Sequence, residues 1–379
     1  MTKILVLNTG SSSLKSTFYD LTNEEPIPPV AWERKIDSTS TVAIKQVLES
    51  LWSGPQRVLD SPAEIDIVGH RVVHGGSEYR KSTFITPEVK TAIARLAALA
   101  PAHNPAALRG IEAAEQLLGN VPQLAVFDTA FHRDIPDAAA IYPGPYEWLE
   151  QGIRRYGFHG INHQYCTERA TQILQKEKKE LHLISCHLGN GCSLSAIRGG
   201  RSVNITMGFT PLEGLMMGSR SGSIDPGILL YLLRQGYDLN KIDRVLNQQS
   251  GLKGISGVSS DMRQIEAAIA AGNERAQLAF DIFIQRARFH LGAMLPSLDG
   301  LDALIFTAGI GENSPRVRAA ICDNLEFLGI EIDPQKNGNH PHDEDIATAE
   351  SSVRILVIEA QEDWAIAREC RKMYKSTFN

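Results

Sequence analysis

Residues 8–14 (Asn-Thr-Gly-Ser-Ser-Ser-Leu) and residues 188–194 (Leu-Gly-Asn-Gly-Cys-Ser-Leu) share one pattern, and this pattern decides the fold. Each segment lies between two apolar stretches that are typical of buried strands, so each predicts a strand, a short polar turn and a second strand. Both segments end in a Ser-Leu pair. The chain is therefore predicted to be internally duplicated, with two related α/β halves that face one another across a cleft.

Strand and helix patterns alternate around the two turns. In the first half they predict strands at 3–7, 14–19, 65–74 and 123–127 and helices at 41–52, 87–100 and 105–118. In the second half they predict strands at 181–186, 194–197, 303–307 and 353–358 and helices at about 161–175, 261–295 and 315–328. The expected domains are residues 1–132 and 133–363, with a helix at 364–379 packing back on the first domain.

Length and composition limit the class of protein. A chain of 379 residues exceeds what one hydrophobic core usually serves, which also favours two domains. A formal net charge of -6 gives no reason to expect a nucleic-acid partner. The five cysteines contain no C-x-x-C pair, and the apolar run Ile4–Leu7 is too short for a signal peptide or a membrane span. We expect a cytoplasmic protein without a membrane partner.

Three segments of small residues follow apolar strands: residues 8–13, 189–191 and 309–313. As turns, they leave backbone N–H groups open to a phosphate, and glycine permits the required close approach. For any one of them alone, a tight hairpin is the better explanation. The P-loop, protein-kinase and dinucleotide-binding motifs are absent from the sequence. The three turns together favour a nucleotide-phosphate site of another kind.

Six motifs, in this order along nearly the whole chain, resemble those of the acetate kinases. They are Asn-Thr-Gly-Ser-Ser-Ser-Leu-Lys (8–15), Gly-His-Arg-Val-Val-His-Gly-Gly (69–76), Phe-Asp-Thr-Ala-Phe-His (127–132), Arg-Tyr-Gly-Phe-His-Gly (155–160), His-Leu-Gly-Asn-Gly (187–191) and Phe-Thr-Ala-Gly-Ile-Gly-Glu-Asn (306–313). The resemblance implies the duplicated actin-like fold, with the active site in the cleft between two domains. It also implies reversible, direct in-line transfer of the ATP γ-phosphoryl group to acetate, and a homodimer.

Transfer of a phosphoryl group to a carboxylate requires cations rather than a base. The carboxylate is already ionised at pH 7, so the site must overcome repulsion between anions. Arg71 and Arg220 match the arginines of the family motifs, and guanidinium pairs bidentately with carboxylate and phosphate oxygens. Arg220 lies in a small-residue loop, residues 217–222, that we expect to be flexible. For either arginine alone, a solvated surface position is an equally good explanation.

His159 and Asp128 complete the catalytic residues that the resemblance implies. His159 would add a third donor to the transferring phosphoryl group from the loop before a helix that starts near Asn162. His159 and His163 have the spacing of a metal-binding pair, but no acidic third ligand accompanies them, which disfavours zinc. Asp128 would hold the metal's waters or the attacking group in line. A helix cap is the alternative for this carboxylate.

The resemblance also implies residues that hold Mg²⁺, for which Mn²⁺ could substitute, and the nucleotide. Mg²⁺ prefers hard oxygen ligands, and Asn8 and Glu362 match the family's metal-site residues. Glu362 lies in Glu-Ala-Gln-Glu-Asp (359–363), where the family usually has Thr-Asn-Glu-Glu, and a helix-start carboxylate is the alternative. Contacts to ATP or ADP are expected from Ser11, Ser13, Lys15, His187, Leu188, Gly189, Asn190, Gly191, Asp261, Met262, Arg263, Gly309, Ile310, Gly311, Glu312 and Asn313.

Four apolar positions match those that surround the methyl group of the acid in the family. They are Val73, Ala102, Phe158 and Pro211. Ala102 stands where the family usually has leucine, so the pocket is expected to be roomier and propionate is an alternative substrate. A non-catalytic, actin-like nucleotide-binding protein is the alternative from another class. It would need the phosphate-binding turns but not Arg71, Asp128, His159 and Arg220 together.

Overall fold

The computed structural model describes residues 2–10, 13–21, 30–55 and 57–378, and these form two compact units. The first unit contains residues up to Arg133, residues 159–162 and the C-terminal segment from Gln361. The second unit contains residues 134–158 and 163–360. The chain therefore leaves the first unit and returns to it twice, and its C-terminal helix belongs with the N-terminal sheet.

The sheet of the first unit has six strands in the order β3-β2-β1-β4-β6-β5. Strands β1, β4 and β6 are parallel neighbours, whereas β2 and β3 continue from β1 as antiparallel strands and β5 pairs antiparallel with β6. The bounds are β1 Lys3–Thr9, β2 Leu14–Asp20, β3 Trp32–Ile36, β4 Ile67–Val72, β5 Thr83–Phe84 and β6 Gln123–Phe127. The carboxyl ends of β1, β4 and β6 meet at one edge of the sheet.

Helices cover this sheet because each presents an apolar stripe to it. Helices α1 (Thr41–Glu49) and α3 (Asn104–Leu118) share a core with β1, β2 and β3, while α2 (Pro87–Arg95) packs with α3 over β4 and β6. The C-terminal helix, α15 (Glu362–Phe378), packs on β1 and β4 and buries Trp364, Ile366 and Cys370. Gly69 in β4 permits this approach, since a Cβ there would lie 2.6 Å from both Cys370 Sγ and Ile366.

The second unit repeats this topology. Its sheet has the order β11-β12-β10-β7-β8-β9, with β7, β10 and β12 parallel and the other strands antiparallel. The strands are β7 His182–Leu188, β8 Cys192–Arg198, β9 Arg201–Ile205, β10 Ala303–Thr307, β11 Glu344–Asp345 and β12 Arg354–Val357. The helices are α4 Asp137–Ala140, α5 Glu147–Glu150, α6 Gly160–Leu174, α7 Pro226–Arg234, α8 Leu239–Gln248, α9 Gly251–Ser256, α10 Met262–Ala270, α11 Glu274–Met294, α12 Ala308–Asn313, α13 Pro315–Cys322 and α14 Pro334–Gly338.

The matching strand orders confirm the predicted duplication, but one detail of the repeat is wrong. Thr9 pairs with Leu14 across the first turn, whereas Leu188 pairs with Cys192 across the second, so the second turn is one residue shorter. Ser13 consequently precedes β2, while Ser193 lies inside β8 opposite His187. The two Ser-Leu pairs are therefore not structurally equivalent.

Two predicted helices are also shorter than expected. The stretch 261–295 is broken at Gly272, which has a φ of 83°, and forms α10 and α11 instead of one helix. The predicted helix 315–328 ends at Cys322, because Asp323 is extended and Asn324 adopts a left-handed φ of 54°. Apolar periodicity continues across both breaks, so periodicity alone could not locate them.

Candidate active site

Three of the predicted residues lie together at the carboxyl ends of the parallel strands of the first unit. Asn8 is near the end of β1, Arg71 is near the end of β4, and Asp128 directly follows β6. Since these strands are neighbours in the sheet, their ends bring the three side chains into contact. Strand ends of this kind are where open α/β sheets bind ligands.

Arg71 is the centre of this cluster. Its Nη2 lies 2.8 Å from Asp128 Oδ2, its Nε lies 3.2 Å from the same oxygen, and its Nη1 donates to Asn8 Oδ1 at 3.2 Å. Burial alone would lower the pKa of Arg71, but the charges of Asp128 and Glu362 outweigh burial and raise it. Arg71 therefore stays positively charged, and its guanidinium plane is fixed from two sides.

Asp128 is almost completely buried, with 1% of its surface exposed. Burial raises the pKa of its carboxyl, and the Arg71 guanidinium and the backbone N–H of His159 oppose this shift by stabilising the charged form. The carboxylate thus accepts bonds from two other residues that the sequence proposed as catalytic. Its observed contacts are those of a group that positions Arg71 and His159.

The first turn of α15 brings two further carboxylates to Arg71 and Asn8. Glu362 Oε2 is 3.1 Å from Arg71 Nη1 and accepts from Asn8 Nδ2 at 3.3 Å. Asp363, buried to 5% exposure, accepts from Asn8 Nδ2 at 2.9 Å and from Thr17 Oγ1 at 2.9 Å. The helix N-terminus favours both negative charges. Glu362 therefore lies in the cluster despite its altered sequence neighbours.

His159 occupies a strained backbone position next to Asp128. Its φ is 57°, in the left-handed region that costs a residue with a Cβ roughly 1 kcal/mol or more. Helix α6 begins at Gly160, two residues earlier than predicted, and Gly160 N–H donates to Asp128 O at 3.0 Å. A Cβ on Gly160 would lie 2.0 Å from that oxygen. Glycine at 160 is thus required for His159 to stay beside Asp128.

Lys15, on β2, is not directed at open solvent. Its Nζ lies 3.0 Å from Asp363 Oδ2 and 3.0 Å from Glu33 Oε2. Burial would lower the pKa of Lys15, but the two carboxylates raise it, so the side chain is a cation. Ser13 is half-buried in the turn, and its carbonyl accepts Gly10 N–H at 2.8 Å. The other serine proposed for nucleotide binding, Ser11, lies outside the described residues.

Arg220, in the second unit, has a different environment from Arg71. Its Nη1 donates to Pro211 O at 3.1 Å and lies 3.7 Å from Met217 Sδ. Burial lowers its pKa. Among the described residues, no carboxylate forms an ion pair with this guanidinium. Arg220 is therefore a partly buried cation whose charge the described protein groups leave unbalanced.

Backbone hydrogen bonds connect the loop around Arg220 to neighbouring segments, and its expected flexibility stays a prediction. Gly218 N–H donates to Asn190 O at 3.1 Å, Ser221 N–H donates to Leu246 O at 3.0 Å, and Leu252 N–H donates to Met217 O at 2.9 Å. These bonds join the loop to the β7–β8 turn and to the start of α9. Gly222 has a φ of 70°, a left-handed conformation that lets the loop backbone come close to these neighbouring segments.

Two of the proposed nucleotide segments keep their predicted form. The turn after β7 contains Gly189, Asn190 and Gly191, with Gly189 N–H donating to Gly191 O at 3.1 Å, and it is preceded by the buried His187 and Leu188. Asp261 caps α10 by accepting Arg263 N–H, and the Arg263 side chain pairs with the same carboxylate while 86% exposed. Met262 is buried.

The third predicted turn, at 309–313, is instead helix α12. Ala308 takes a φ of 65° after β10, which redirects the chain into the helix. Ile310 and Gly311 are then buried against β7 and β10, and Asn313 Nδ2 donates to Gly309 O one turn away. Glycine lowers helix propensity, but tertiary packing overrides that preference here. Arg318, fully buried, donates to the carbonyls of Gly311 and Glu312 and fixes the end of α12.

The four residues proposed for the acyl pocket fall into both units. In the first unit, Val73 is 5% exposed and Ala102 is exposed in the turn before α3. The fully buried Asn104 joins their segments, since its Oδ1 accepts His74 N–H and its Nδ2 donates to His74 O, both at 3.1 Å. In the second unit, Phe158 is buried and the Pro211 carbonyl binds Arg220.

Sequence reasoning missed three residues that the structure places in this site: Asp363, Asn104 and Gly160. Asp363 could have been noticed as a second carboxylate in the first turn of a helix. The Asn-Pro pair at 104–105 is a helix-start signal, but nothing in it indicates a bond to His74. The need for glycine at 160 follows from the position of the Asp128 carbonyl, which is a tertiary feature.

Comparison with known proteins agrees with the geometry. The model of the acetokinase family matches residues 30–368. The chain belongs to the acetokinase family. Acetate kinases of Cyanothece sp. and Gloeobacter violaceus are each 59% identical to it, over 99% of this chain and 99% of the relative in the first case and 97% and 98% in the second. The family predicted from the motifs is confirmed.

Solved acetokinase-family structures have the same fold. An acetate kinase from Porphyromonas gingivalis superposes with a TM-score of 0.89 at 38% identity, covering 98% of this chain and 100% of that one. A propionate kinase from Francisella tularensis gives 0.88 at 38% identity, covering 97% and 99%. The predicted fold class is therefore confirmed. Across the described residues, no helix has the length and apolar character needed to cross a membrane.

Proposed function

We propose that this protein catalyses reversible, direct transfer of the ATP γ-phosphoryl group to acetate, giving acetyl phosphate and ADP. The observation that carries the proposal is the environment of Arg220. A partly buried guanidinium without a carboxylate partner among the described residues is costly unless an anion joins it. A reaction between a carboxylate and a triphosphate supplies that anion, and a cation aimed at the transferring group stabilises its transition state.

The cluster around Arg71 supports the same chemistry. Asp128 and Asn8 fix the guanidinium, so it meets a substrate anion with little loss of side-chain freedom. Asp128 positions Arg71 and His159 and takes no proton, because a carboxylate substrate has none to give at neutral pH. The imidazole of His159 is the third proposed donor to the phosphoryl oxygens. A non-catalytic nucleotide-binding protein would have no need for this set.

The residues also fit a divalent cation. Asn8 and Glu362 supply amide and carboxylate oxygens, which are the ligand types of Mg²⁺, and Mg²⁺ retains most of its waters. Three carboxylates in the cluster, Asp128, Glu362 and Asp363, outnumber the two cations Arg71 and Lys15. Mg²⁺ would neutralise charge on the β- and γ-phosphates. We propose that Asn8 and Glu362 hold it, with Mn²⁺ as a substitute.

The nucleotide is proposed to contact the 187–191 turn, the start of α10 and helix α12. The exposed residues Asn190 and Gly309, at the first and third of these segments, support this assignment. A homodimer, implied by the family resemblance, and a cytoplasmic location, expected from the cysteine pattern, belong to the same proposal. The five cysteines are buried and form no disulfide, which supports a reducing compartment.

Propionate is the alternative acceptor. Ala102 is small and exposed, and it is joined through Asn104 to the segment that carries Val73. An extra methylene could be accommodated next to a side chain of this size, so we propose a weak preference for acetate.

A hydroxamate trap for acyl phosphates tests the proposal. Purified protein, ATP and Mg²⁺ are incubated with acetate, propionate or butyrate, and the hydroxamate and ADP are measured. Formation of acetyl hydroxamate with equimolar ADP supports acetate kinase activity. ATP hydrolysis without hydroxamate from any of the acids would overturn it.

A further inference from the structure

The segment Glu359–Gln361 joins β12 to α15 without regular secondary structure of its own. Ile358 N–H makes the last sheet-like bond, to Phe306 O at 3.0 Å. The next two backbone N–H groups both donate to carboxylates: Glu359 N–H to Asp343 Oδ1 at 3.2 Å, and Ala360 N–H to Glu312 Oε1 at 2.8 Å. A linking segment is thus fixed by two side chains rather than by a sheet or helix.

Both carboxylates are themselves held. Asp343 Oδ2 pairs with Arg169 Nε, on α6, at 2.7 Å. Glu312 is half-buried in α12, and the bond from Arg318 to its carbonyl locks its backbone. Burial raises the pKa of Glu312, while the N–H groups of Ala360 and Ala308 stabilise its charged form. The two acceptors are therefore fixed points of the second unit.

Ala360 stands two residues before Glu362. Consecutive Cα atoms are about 3.8 Å apart, so the Cα of Glu362 lies within about 8 Å of the Cα of Ala360. Helix α15 starts at Glu362, and its first turn carries both Glu362 and Asp363, which contact Asn8. A shift of the Ala360 backbone would therefore be passed along the chain to the residues proposed to hold the metal ion.

We propose that Glu312 is a positioning residue for Glu362: by holding the Ala360 backbone, it sets the start of α15 and so the affinity of the Asn8–Glu362 site for the divalent cation. Asp343 holds the same segment one residue earlier, through the Glu359 N–H. This inference rests on the proposed function, because it assigns a role to a residue of the nucleotide-binding helix α12. The Glu312 carboxylate then serves the metal site rather than the nucleotide directly.

Three readouts test the proposal on the full-length protein. Hydrogen exchange in peptides that cover residues 357–364 reports whether the Ala360 N–H stays bonded to Glu312. Binding of Mn²⁺ in the presence of ADP, followed by electron paramagnetic resonance of the free ion, reports the site without turnover. The Mg²⁺ concentration for half-maximal hydroxamate formation reports its use in the reaction.

In Glu312→Ala we expect faster exchange in 357–364 and Mn²⁺ binding weakened about 10-fold, the lower end of the effect of losing an outer partner of a metal ligand. Glu312→Gln retains an oxygen that accepts the Ala360 N–H. This variant should therefore keep both the exchange rate in 357–364 and the Mn²⁺ affinity close to those of the natural protein. Asp333→Ala is a matched control, since Asp333 also accepts backbone N–H groups, at the start of α14. It should leave Mn²⁺ binding unchanged.

Unchanged exchange in Glu312→Ala would overturn the proposal, and so would faster exchange with unaltered Mn²⁺ binding, which would make the bond purely structural. If Glu312→Ala does not fold, Glu312→Asp is used, because its shorter side chain cannot reach Ala360 in the same way. Absence of acyl phosphate with the natural protein would refute the proposed function, while the Mn²⁺ comparison would still decide the role of Glu312.

Discussion

The two arginines that the sequence singled out differ in how their charge is balanced. Arg71 is ion-paired with Asp128 and Glu362, whereas the described contacts of Arg220 are a carbonyl and a thioether sulfur. An arginine that is already neutralised is held in one orientation, and one that is not attracts an anion more strongly. We infer that Arg71 provides directed hydrogen bonds and that Arg220 provides most of the net positive charge.

Replacement of either arginine by alanine should lower kcat by about 10³-fold or more, the scale of an arginine acting on a phosphoryl transition state. Their effects on stability should differ. Arg71→Ala leaves Asp128 buried without its partner and should cost about 3–5 kcal/mol, while Arg220→Ala removes an unbalanced charge and should cost much less. Hydroxamate assays measure kcat and urea unfolding measures stability. Arg57→Ala, at an exposed position, is the control. Near-normal turnover in a folded variant would remove that arginine from the mechanism.

Glu362→Ala should raise the Mg²⁺ concentration needed for half-maximal rate, because a carboxylate oxygen is lost from the proposed site. Titration of activity with Mg²⁺ at saturating acetate measures the effect, and the exposed Glu350→Ala serves as a control. An unchanged Mg²⁺ dependence would show that Glu362 acts through Arg71 alone.

Ala102→Leu should narrow the acceptor range. Leucine adds three carbons where propionate exceeds acetate by one methylene, and discrimination per methylene is about 1–3 kcal/mol. kcat/KM for propionate should fall much more than for acetate, while KM for ATP stays the same. Two results would mean that other side chains fill this space. One is that the substitution leaves the ratio of kcat/KM for propionate to kcat/KM for acetate unchanged, and the other is that the natural protein already rejects propionate strongly.

At the scale of the element, the start of α6 shows how a helix start fixes the position of His159. Gly160 is the first helical residue, and its contact with the Asp128 carbonyl leaves no room for a Cβ. His159 must therefore enter the helix through a left-handed conformation, with its N–H on the Asp128 carboxylate. The β6 strand end and the α6 start are thus one structural unit around Asp128.

Gly160→Ala should displace His159 and lower kcat by about 10²-fold, the cost of a misplacement of roughly 1 Å at a reacting centre. Gly292→Ala, in the last turn of α11 with open space around it, is the matched control and should retain full activity. Hydroxamate assays with thermal unfolding as a check of folding compare the two. Equal activity of both variants would show that the turn can relax without moving His159.

At the scale of the whole molecule, the last helix of the chain completes its first sheet. Helix α15 contributes Glu362 and Asp363 to the cluster and buries Ile366 and Cys370 against β1 and β4. Residues separated by more than 350 positions therefore form one hydrogen-bonded cluster. The stability of the first unit depends on the end of the chain.

Ile366→Ala should reduce the stability of the first unit by about 2–5 kcal/mol, because it opens a cavity at a fully buried position. Hydrogen exchange should accelerate in peptides of β1 and β4, while β7 and β10 keep their protection. The exposed Val42→Ala, with 68% of its surface accessible, is the control. Uniform acceleration over both sheets would contradict a local effect of Ile366 on the first sheet.

The α/β class, the duplication and the family could all be predicted from the sequence without coordinates. Strand-and-turn patterns are local, and motif residues keep their spacing, so both can be recognised without coordinates. Asn8, Arg71, Asp128 and Glu362 were all identified in this way, and the structure brings them together. Their roles in catalysis and metal binding stay predictions, as do the domain boundaries.

The tertiary structure alone decided how these residues are used. Helix α12 replaced a predicted turn, and the loop around Arg220 is held by backbone bonds, because packing against β7, β10 and α9 outweighs local glycine preference. The need for glycine at 160 and the role of Asp363 depend on atoms contributed by distant segments. Local sequence carries no information about such contacts, since the partner atom is specified by the fold and not by the neighbouring residues.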